Sequence, residues 1–283
     1  MTNQLAITAI TSAAPSAPLV LRGDLTECVG RARELGYEAL EVHVVDAGTF
    51  PTEEVLAACE AQGRRISAVV TGRIFTERGL CMTSPDPENR AGAMAELRDY
   101  IDVAARLRAT DGVVIGWVKG NRRPEDPDFD RLLAEQLSEL GEYAGQRGQT
   151  LLVEVINRYE TNLFNTSEEL VRFIRKWDLR SCRVHLDTFH MNIEEADMAA
   201  AIHTAGDLLG YFHVADSNRL TPGMGHLDFP AVFAALRDSR YQGTVSLECI
   251  PGEDAAETGA QGYAFLKNML EKYADALKNI EKN

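Results

Sequence analysis

The sequence predicts a single α/β domain over residues 1–283, folded as one (β/α)8 barrel of the TIM type. Three observations predict it. Eight short apolar runs rich in β-branched residues recur along the chain, and helical patterns separate successive runs. The segment after the first run reads SAAPSAP and lacks the G-x-G-x-x-G of an open dinucleotide-binding sheet. A length of 283 residues could hold two average domains, but eight strand–helix units also need about 250 residues in one.

The runs fall at 5–11, 39–44, 66–70, 112–115, 151–155, 184–187, 211–214 and 244–247. Most are continuous and not alternating, as in strands buried on both faces of a parallel sheet. Asp24 precedes LTECVGRARELG, and Asp86-Pro87 precede a long pattern ending near Leu107. Ser167 precedes EELVRFIRKW, and Pro230 opens AVFAALRD. Asp and Ser supply N-caps and proline suits a first turn, while Gly36 and Gly148 stand where C-caps are expected. Regular alternation implies parallel strands joined by right-handed crossovers, and eight without a break favour closure into a barrel.

A composition of 45% hydrophobic and 25% charged residues supports a sizeable core and no disordered tail. The formal net charge of -14 argues against DNA or RNA, whose binders gather Lys and Arg on one face. Five scattered cysteines without C-x-x-C spacing indicate neither a disulfide framework nor a thiolate zinc site, which points to a reducing, cytoplasmic setting. The N-terminal stretch lacks a basic region followed by an apolar run, and no segment approaches a membrane span, so a soluble chain with no membrane partner is expected.

Working residues of such barrels project from the carboxyl ends of strands. Four consecutive runs carry metal-ligating residues at or near their ends: LLVE at Glu154, VHLD at Asp187, YFHV at His213 and VSLE at Glu248. Each alone reads as a cap or an ion-paired acid. In register they predict a metal site, because buried charges need partners and one cation satisfies all four. Three oxygen ligands and one nitrogen favour Mn2+ first, with Co2+ or Mg2+ as alternatives, over a structural zinc. Positions left open would take two neighbouring oxygens of an α-hydroxy ketone, and Lewis acidity would acidify the C–H between them.

Further polar residues follow the same strands: Asn157, Arg158 and Glu160, then His190, then Ser217, Asn218 and Arg219. All can grip hydroxyls, although Asn157 and Asn218 fit turn formation equally well. His185 lies two residues before Asp187, where it either packs in the core or supports a ligand, and His43 is similarly open. His203 falls in a helical segment, and His226 in PGMGHLDF is expected to order a loop.

The stretches VEVINRYETNLFNT (153–166), HLDTFHMNIEEAD (185–197), FHVADSNRLTPGMGHLDF (212–229) and VSLECIP (245–251) resemble xylose-isomerase-like sugar isomerases and epimerases, especially the ketose 3-epimerase (D-tagatose/D-psicose 3-epimerase) branch. PLVLRGDL, LGYEALEVHV and IGWVKGNRR are similar to the branch's members acting on 5-keto-L-gluconate. The resemblance covers essentially the whole chain. It implies that Glu154, Asp187, His213 and Glu248 ligate the metal, and that Glu154 and Glu248 also act as the acid–base pair. One glutamate would remove the proton beside the ketone to give a cis-enediolate, and the other would return a proton to the opposite face. Glu160, His190 and Arg219 are implied as contacts to the oxygens around the reacting carbons.

One region departs from that pattern. Trp117 is followed by Lys119, Arg122 and Arg123, and the branch carries a neutral loop there. Trp117 and Lys119 are candidate substrate contacts, and inward-facing cations, Arg73 among them, would suit a sugar acid. The other reading is a surface charge cluster balancing Glu125, Asp126 and Asp128. The expected function is a metal-dependent epimerase of a ketose or keto-sugar acid, inverting the carbon beside the ketone. An aldose–ketose isomerase and a 3-oxo sugar acid decarboxylase would use the same site. An abasic-site endonuclease needs more metals, more histidines and a basic surface, and a non-catalytic sugar-binding or assembly protein would not need the glutamate pair. Relatives of this branch imply a homo-oligomer, a dimer or tetramer.

Overall fold

A computed structural model of the chain describes residues 3–280, with side chains described for residues 3–273. Strand β1 (Leu5–Ile10) is followed by a two-residue strand β2 (Leu21–Arg22), helix α1 (Leu25–Leu35) and strand β3 (Ala39–His43). Next come α2 (Thr52–Gln62), β4 (Arg65–Val70), α3 (Gly72–Arg78), α4 (Pro87–Arg106) and β5 (Gly112–Ile115). A 3-10 turn (Trp117–Lys119) leads to α5 (Phe129–Gly145), β6 (Leu151–Glu154), α6 (Ser167–Lys176), β7 (Cys182–Asp187), α7 (Thr188–Glu194) and α8 (Met198–Ala205). The chain continues through β8 (Leu209–Val214), α9 (Phe229–Asp238), β9 (Val245–Leu247) and α10 (Ala255–Ile280).

Each strand from β3 to β9 pairs in parallel with the next, and β9 pairs back onto β1, closing an eight-stranded barrel of the predicted kind. All eight apolar runs are strands, with ends within two residues of expectation. The strand outside the expectation is β2. It pairs with Ala9 and Ile10 on the edge of β1 that β9, paired only to Leu5–Ile7, leaves open.

The caps explain the helix starts. The Asp24 side chain accepts from the amides of Thr26 and Glu27, and Asp86 accepts from Glu88 N ahead of Pro87. Two expected caps shift by a few residues. Thr166, not Ser167, caps α6 by accepting from Glu169 N, while the Ser167 hydroxyl donates to Ala201 O. Helix α5 ends at Gly145, and Gly148 takes its positive φ in the turn that follows.

Apolar side chains between the strands and the helix ring form one large core. Gly210 marks a register shift between β7 and β8, where a Cβ would lie 2.5 Å from Arg183 Cβ. The shift pairs Asp187 with His213.

Candidate active site

Parallel register places the polar ends of the last four strands side by side: Glu154 opposite His185, Asp187 opposite His213, and Val214 opposite Leu247, one residue before Glu248. These ends open into a cavity of about 480 Å3, whose walls include His43, Glu154, Glu160, His190, Arg219 and Glu248. Residues 13–19 of the loop after β1 contribute an apolar wall of Ala13, Ala14, Ala17, Pro18 and Leu19.

Asp187 is fully buried and divides its oxygens. Oδ1 accepts from Phe189 N at 2.8 Å and so starts α7, while Oδ2 accepts from Arg219 Nη1 at 2.5 Å. Arg219 Nη2 donates to Glu248 Oε2, and the guanidinium stacks over Phe189 at 4.6 Å from the ring centroid. Burial opposes its charge, but Asp187 and Glu248 outweigh burial and raise the Arg219 pKa further. The loop presenting Arg219 is tied by Asp216, which accepts from the amides of Ser217, Gly223 and Leu227.

His213 is buried, and its Nε2 lies 2.7 Å from Glu41 Oε2. Its Nδ1 has no hydrogen-bond partner and faces Glu248 Oε2 at 3.2 Å and Asp187 Oδ2 at 4.0 Å. Burial alone would lower the His213 pKa, but the Glu41 and Glu248 carboxylates hold it well above the usual histidine range. Burial, then the charge of Glu248, pushes Glu154 up to about 8.

His190 follows from a chain of assignments. Asn157 Oδ1 accepts from Tyr159 N, which fixes the amide so that Nδ2 donates to His190 Nδ1 at 2.7 Å and to Glu160 Oε1 at 2.9 Å. His190 therefore carries its proton on Nε2, which lies 3.7 Å from Glu154 Oε1 and 3.9 Å from Asp187 Oδ2. Burial and then Arg219 hold its pKa well below the usual range, so it is neutral. Trp117 Nε1 donates to the other oxygen of Glu160 at 3.0 Å.

The structure thus brings Glu154, Asp187, His190, His213, Arg219 and Glu248 together, with Glu160 and Trp117 beside them. It buries Lys119 outside the cavity walls, with Nζ donating to Gly116 O at 3.1 Å and its pKa drawn down to about 8 by burial. Arg122 turns to Asp130 and Arg123 to Asp126, away from the cavity, whereas Arg73 lines it while holding Glu77 and Ser12 O. Arg158 clamps Glu194, Asn218 shapes its own loop through Leu220 N and Met224 O, and His226 meets Ser217. His203 lies on the surface against Ser239. His185 packs edge-on to His213 at 4.1 Å between centroids, with both ring nitrogens unpartnered.

Sequence reasoning missed Glu41. The available signal was its alternation with His43 in ALEVH, two polar residues on one face of an otherwise apolar strand.

Donor chemistry fits a divalent cation. Close ligand atoms form three trios, Glu154 with Asp187 and His190, Glu41 with His213 and Glu248, and Glu154 with His185 and His213, the last overlapping both others. The unpartnered Nδ1 of His213 faces the Glu248 and Asp187 carboxylates, a mixture of imidazole and hard oxygen that a divalent cation can use.

Residues 29–269 match the sequence profile of a family described as xylose isomerase-like TIM barrel. A D-psicose 3-epimerase of Enterocloster bolteae is 33% identical over 233 residues, covering 80% of this chain and 76% of the relative. A 3-dehydro-D-guloside 4-epimerase of Escherichia coli is 40% identical over 141 residues, half of this chain and 53% of its own. Among solved structures, a 3-keto-D-glucoside 4-epimerase from E. coli superposes with a TM-score of 0.80 at 26% identity, covering 94% of this chain and 99% of its own.

Proposed function

The chain belongs to the xylose isomerase-like TIM barrel family, in its ketose 3-epimerase branch, and from that premise we propose that it is a metal-dependent epimerase of a ketose or keto-sugar acid. It inverts the carbon beside the ketone through a cis-enediolate. The observation that carries this reading is the pair Glu154 and Glu248: both line one cavity, on strand ends separated by those of Asp187 and His213. Inversion at carbon needs one base and one acid on opposite faces of a planar intermediate, and two carboxylates across one cavity can supply them.

Glu154, Asp187, His213 and Glu248 would hold one divalent ion, Mn2+ first and Co2+ or Mg2+ as alternatives. When bound, such an ion supplies Lewis acidity that makes the C–H beside the ketone easier to ionise. The rest falls to the side chains. One glutamate accepts the substrate proton, and the other, protonated, returns one to the far face. The Nε2–H of neutral His190 and the Arg219 guanidinium donate to the oxygens on which negative charge develops. Glu160, fixed by Trp117 and Asn157, orients a substrate hydroxyl.

Residues 1–283 act as one catalytic domain in this reading. No helix among the described residues is long and apolar enough to cross a membrane, which is compatible with a cytoplasmic enzyme. Trp117, Tyr159, Leu220 and Met224 are exposed apolar side chains on the strand-end loops, and they favour a homo-oligomer formed through that face.

Incubation with Mn2+ and a ketose panel in D2O tests the function. The expected result is one deuterium at the inverted carbon of a C3 epimer, lost in Glu154→Gln and Glu248→Gln variants that remain folded. An aldose product, CO2 release or full turnover by either variant would overturn the mechanism.

A further inference from the structure

Glu41 lies in β3, five strand positions around the barrel from His213 by one route and three by the other, yet its carboxylate lies 2.7 Å from that imidazole. It is fully buried, and both oxygens are used. Oε2 lies 2.7 Å from His213 Nε2 and accepts from Tyr211 Oη at 2.9 Å, while Oε1 lies 3.1 Å from His43 Nε2. A buried carboxylate is costly unless charged and hydrogen-bonded partners surround it, and here three donors do.

Those donors are themselves fixed. Tyr211 Oη, whose own proton goes to Glu41, accepts from Ser67 Oγ at 2.7 Å, and Ser67 Oγ also lies 3.1 Å from Leu40 O. Ser67 comes within reach through an irregularity in the sheet. Between the pairs Leu40–Ile66 and Val42–Val69, two residues of β4 face the single residue Glu41. Bulges of this kind re-aim side chains next to functional sites. Packing adds a further constraint, because His185 stands edge-on to His213, and Tyr211 lies 5.5 Å from it between centroids.

We propose that Glu41 is a positioning residue that sets which nitrogen of His213 is left to face the carboxylates of Glu248 and Asp187. By accepting from Nε2–H it keeps a proton on that nitrogen, so that with a metal bound the Nδ1 lone pair is the ligating one, aimed between Glu248 Oε2 and Asp187 Oδ2. Its other oxygen holds His43 against Glu248, with His43 Nε2 3.7 Å from Glu248 Oε1. One carboxylate on the far side of the barrel thereby orients a ligand and a cavity-wall histidine together. An imidazole ligand needs this kind of partner, since hydrogen bonding at the distal nitrogen fixes both the tautomer and the ring plane. The proposal rests on the reading of His213 as a metal ligand.

The test uses the full chain, with Mn2+ alone as the probe and free Mn2+ counted by electron paramagnetic resonance. Glu41→Gln keeps the size of the side chain and removes its charge. Its Kd for Mn2+ should rise about 10- to 100-fold, the usual consequence of losing such a partner. If Glu41 only holds the fold together, the variant melts earlier in EDTA but binds Mn2+ with an unchanged Kd, and the proposal is wrong. Tyr211→Phe removes one donor to Glu41, and it should weaken Mn2+ binding in the same direction and by less. That variant keeps the test open should Glu41→Gln fail to fold. With 15N-labelled histidine and Mg2+ bound, His213 should carry its proton on Nε2, and a proton on Nδ1 overturns the proposal. A wild-type chain that binds no Mn2+ overturns the metal reading itself. A wild type that binds it no better than Glu41→Gln overturns only the role of Glu41.

Discussion

Gly116 follows β5 directly, and a Cβ added there would lie 2.8 Å from Glu154 Oε2. An ordinary contact begins near 3.4 Å, so in Gly116→Ala the Glu154 carboxylate must retreat by about 0.6 Å. Reacting groups held about 1 Å out of place lose on the order of 100-fold in rate, which puts the expected fall in kcat at roughly tenfold. In free-energy terms that is about 1.4 kcal/mol of barrier. The assay is epimerisation at saturating Mn2+ and substrate, with Mn2+ affinity and thermal melting measured on the same preparation. Gly30→Ala is the control. Its Cβ meets nothing within 4 Å, and Gly30 sits inside α1, so alanine should stabilise the fold by about 0.5–1 kcal/mol and leave kcat unchanged. Wild-type kcat in a folded Gly116→Ala chain would refute the reasoning, because Glu154 would then tolerate displacement that proton transfer does not.

Stability of the metal-free chain should depend on pH through Glu154. Its folded pKa of about 8 stands above the unfolded 4.5, so its contribution is complete below pH 4.5 and is lost as pH rises through about 8. Urea midpoints in EDTA should show this loss relative to Glu154→Gln, and parallel curves for the two proteins would disprove it. Lys119 acts in a separate window, because a folded pKa of about 8 against 10.5 makes stability rise between those values. Thiol labelling at pH 8 should modify Cys81, the half-buried cysteine, first. Burial shields Cys28 and Cys59 and pushes their thiols up to about 11, and Cys182 and Cys249 to about 12. Peptide mapping that finds Cys249 labelled first would contradict the packing around β9. Arg219→Gln removes the cation that spans Asp187 and Glu248, so Mn2+ should bind more tightly while turnover falls. Weaker Mn2+ binding in that variant would show that Arg219 assembles the ligands and does not compete for them.

The barrel was legible in the sequence because its strands are buried on both faces and therefore read as uninterrupted apolar runs, each closed by a helix signal. Glu154, Asp187 and Glu248 could be singled out because a carboxylate ends or immediately follows such a run, a local pattern that needs no knowledge of distant partners. Glu41 carries no such mark. It lies mid-strand, and its meaning depends on His213, 172 residues away, brought to it by closure of the sheet. Strand β2 escaped notice because two residues have no period. Lys119, Arg122 and Arg123 showed their charge in the sequence but not their direction. The 3-10 turn after β5 buries the first, and Asp130 and Asp126 draw the other two aside. Ser167 and Thr166 are adjacent cap-forming residues, and the choice between them was settled by Ala201 O accepting the serine hydroxyl.

The charges around the cavity explain why metal binding and proton transfer would share residues. Glu41 and His213 answer each other at 2.7 Å, which leaves Asp187 and Glu248 in contact with the Arg219 guanidinium and Glu154 within the field of the buried Lys119. Three carboxylates, Asp187 and Glu248 buried and Glu154 nearly so, against Arg219 and Lys119 leave a surplus of negative charge that a low-dielectric interior does not tolerate. The surplus can be relieved in two ways, by a dication or by a proton, and the rise of the Glu154 pKa is the second of these. A carboxylate that can trade a metal ion for a proton at modest cost is suited to acid–base work. The stack of Arg219 on Phe189 gives the guanidinium a second anchor besides the two carboxylates. In the proposed reaction an arginine held in this way would present donors to substrate oxygens without leaving the site, which would tie the charge surplus of the strand ends to stabilisation of the enediolate.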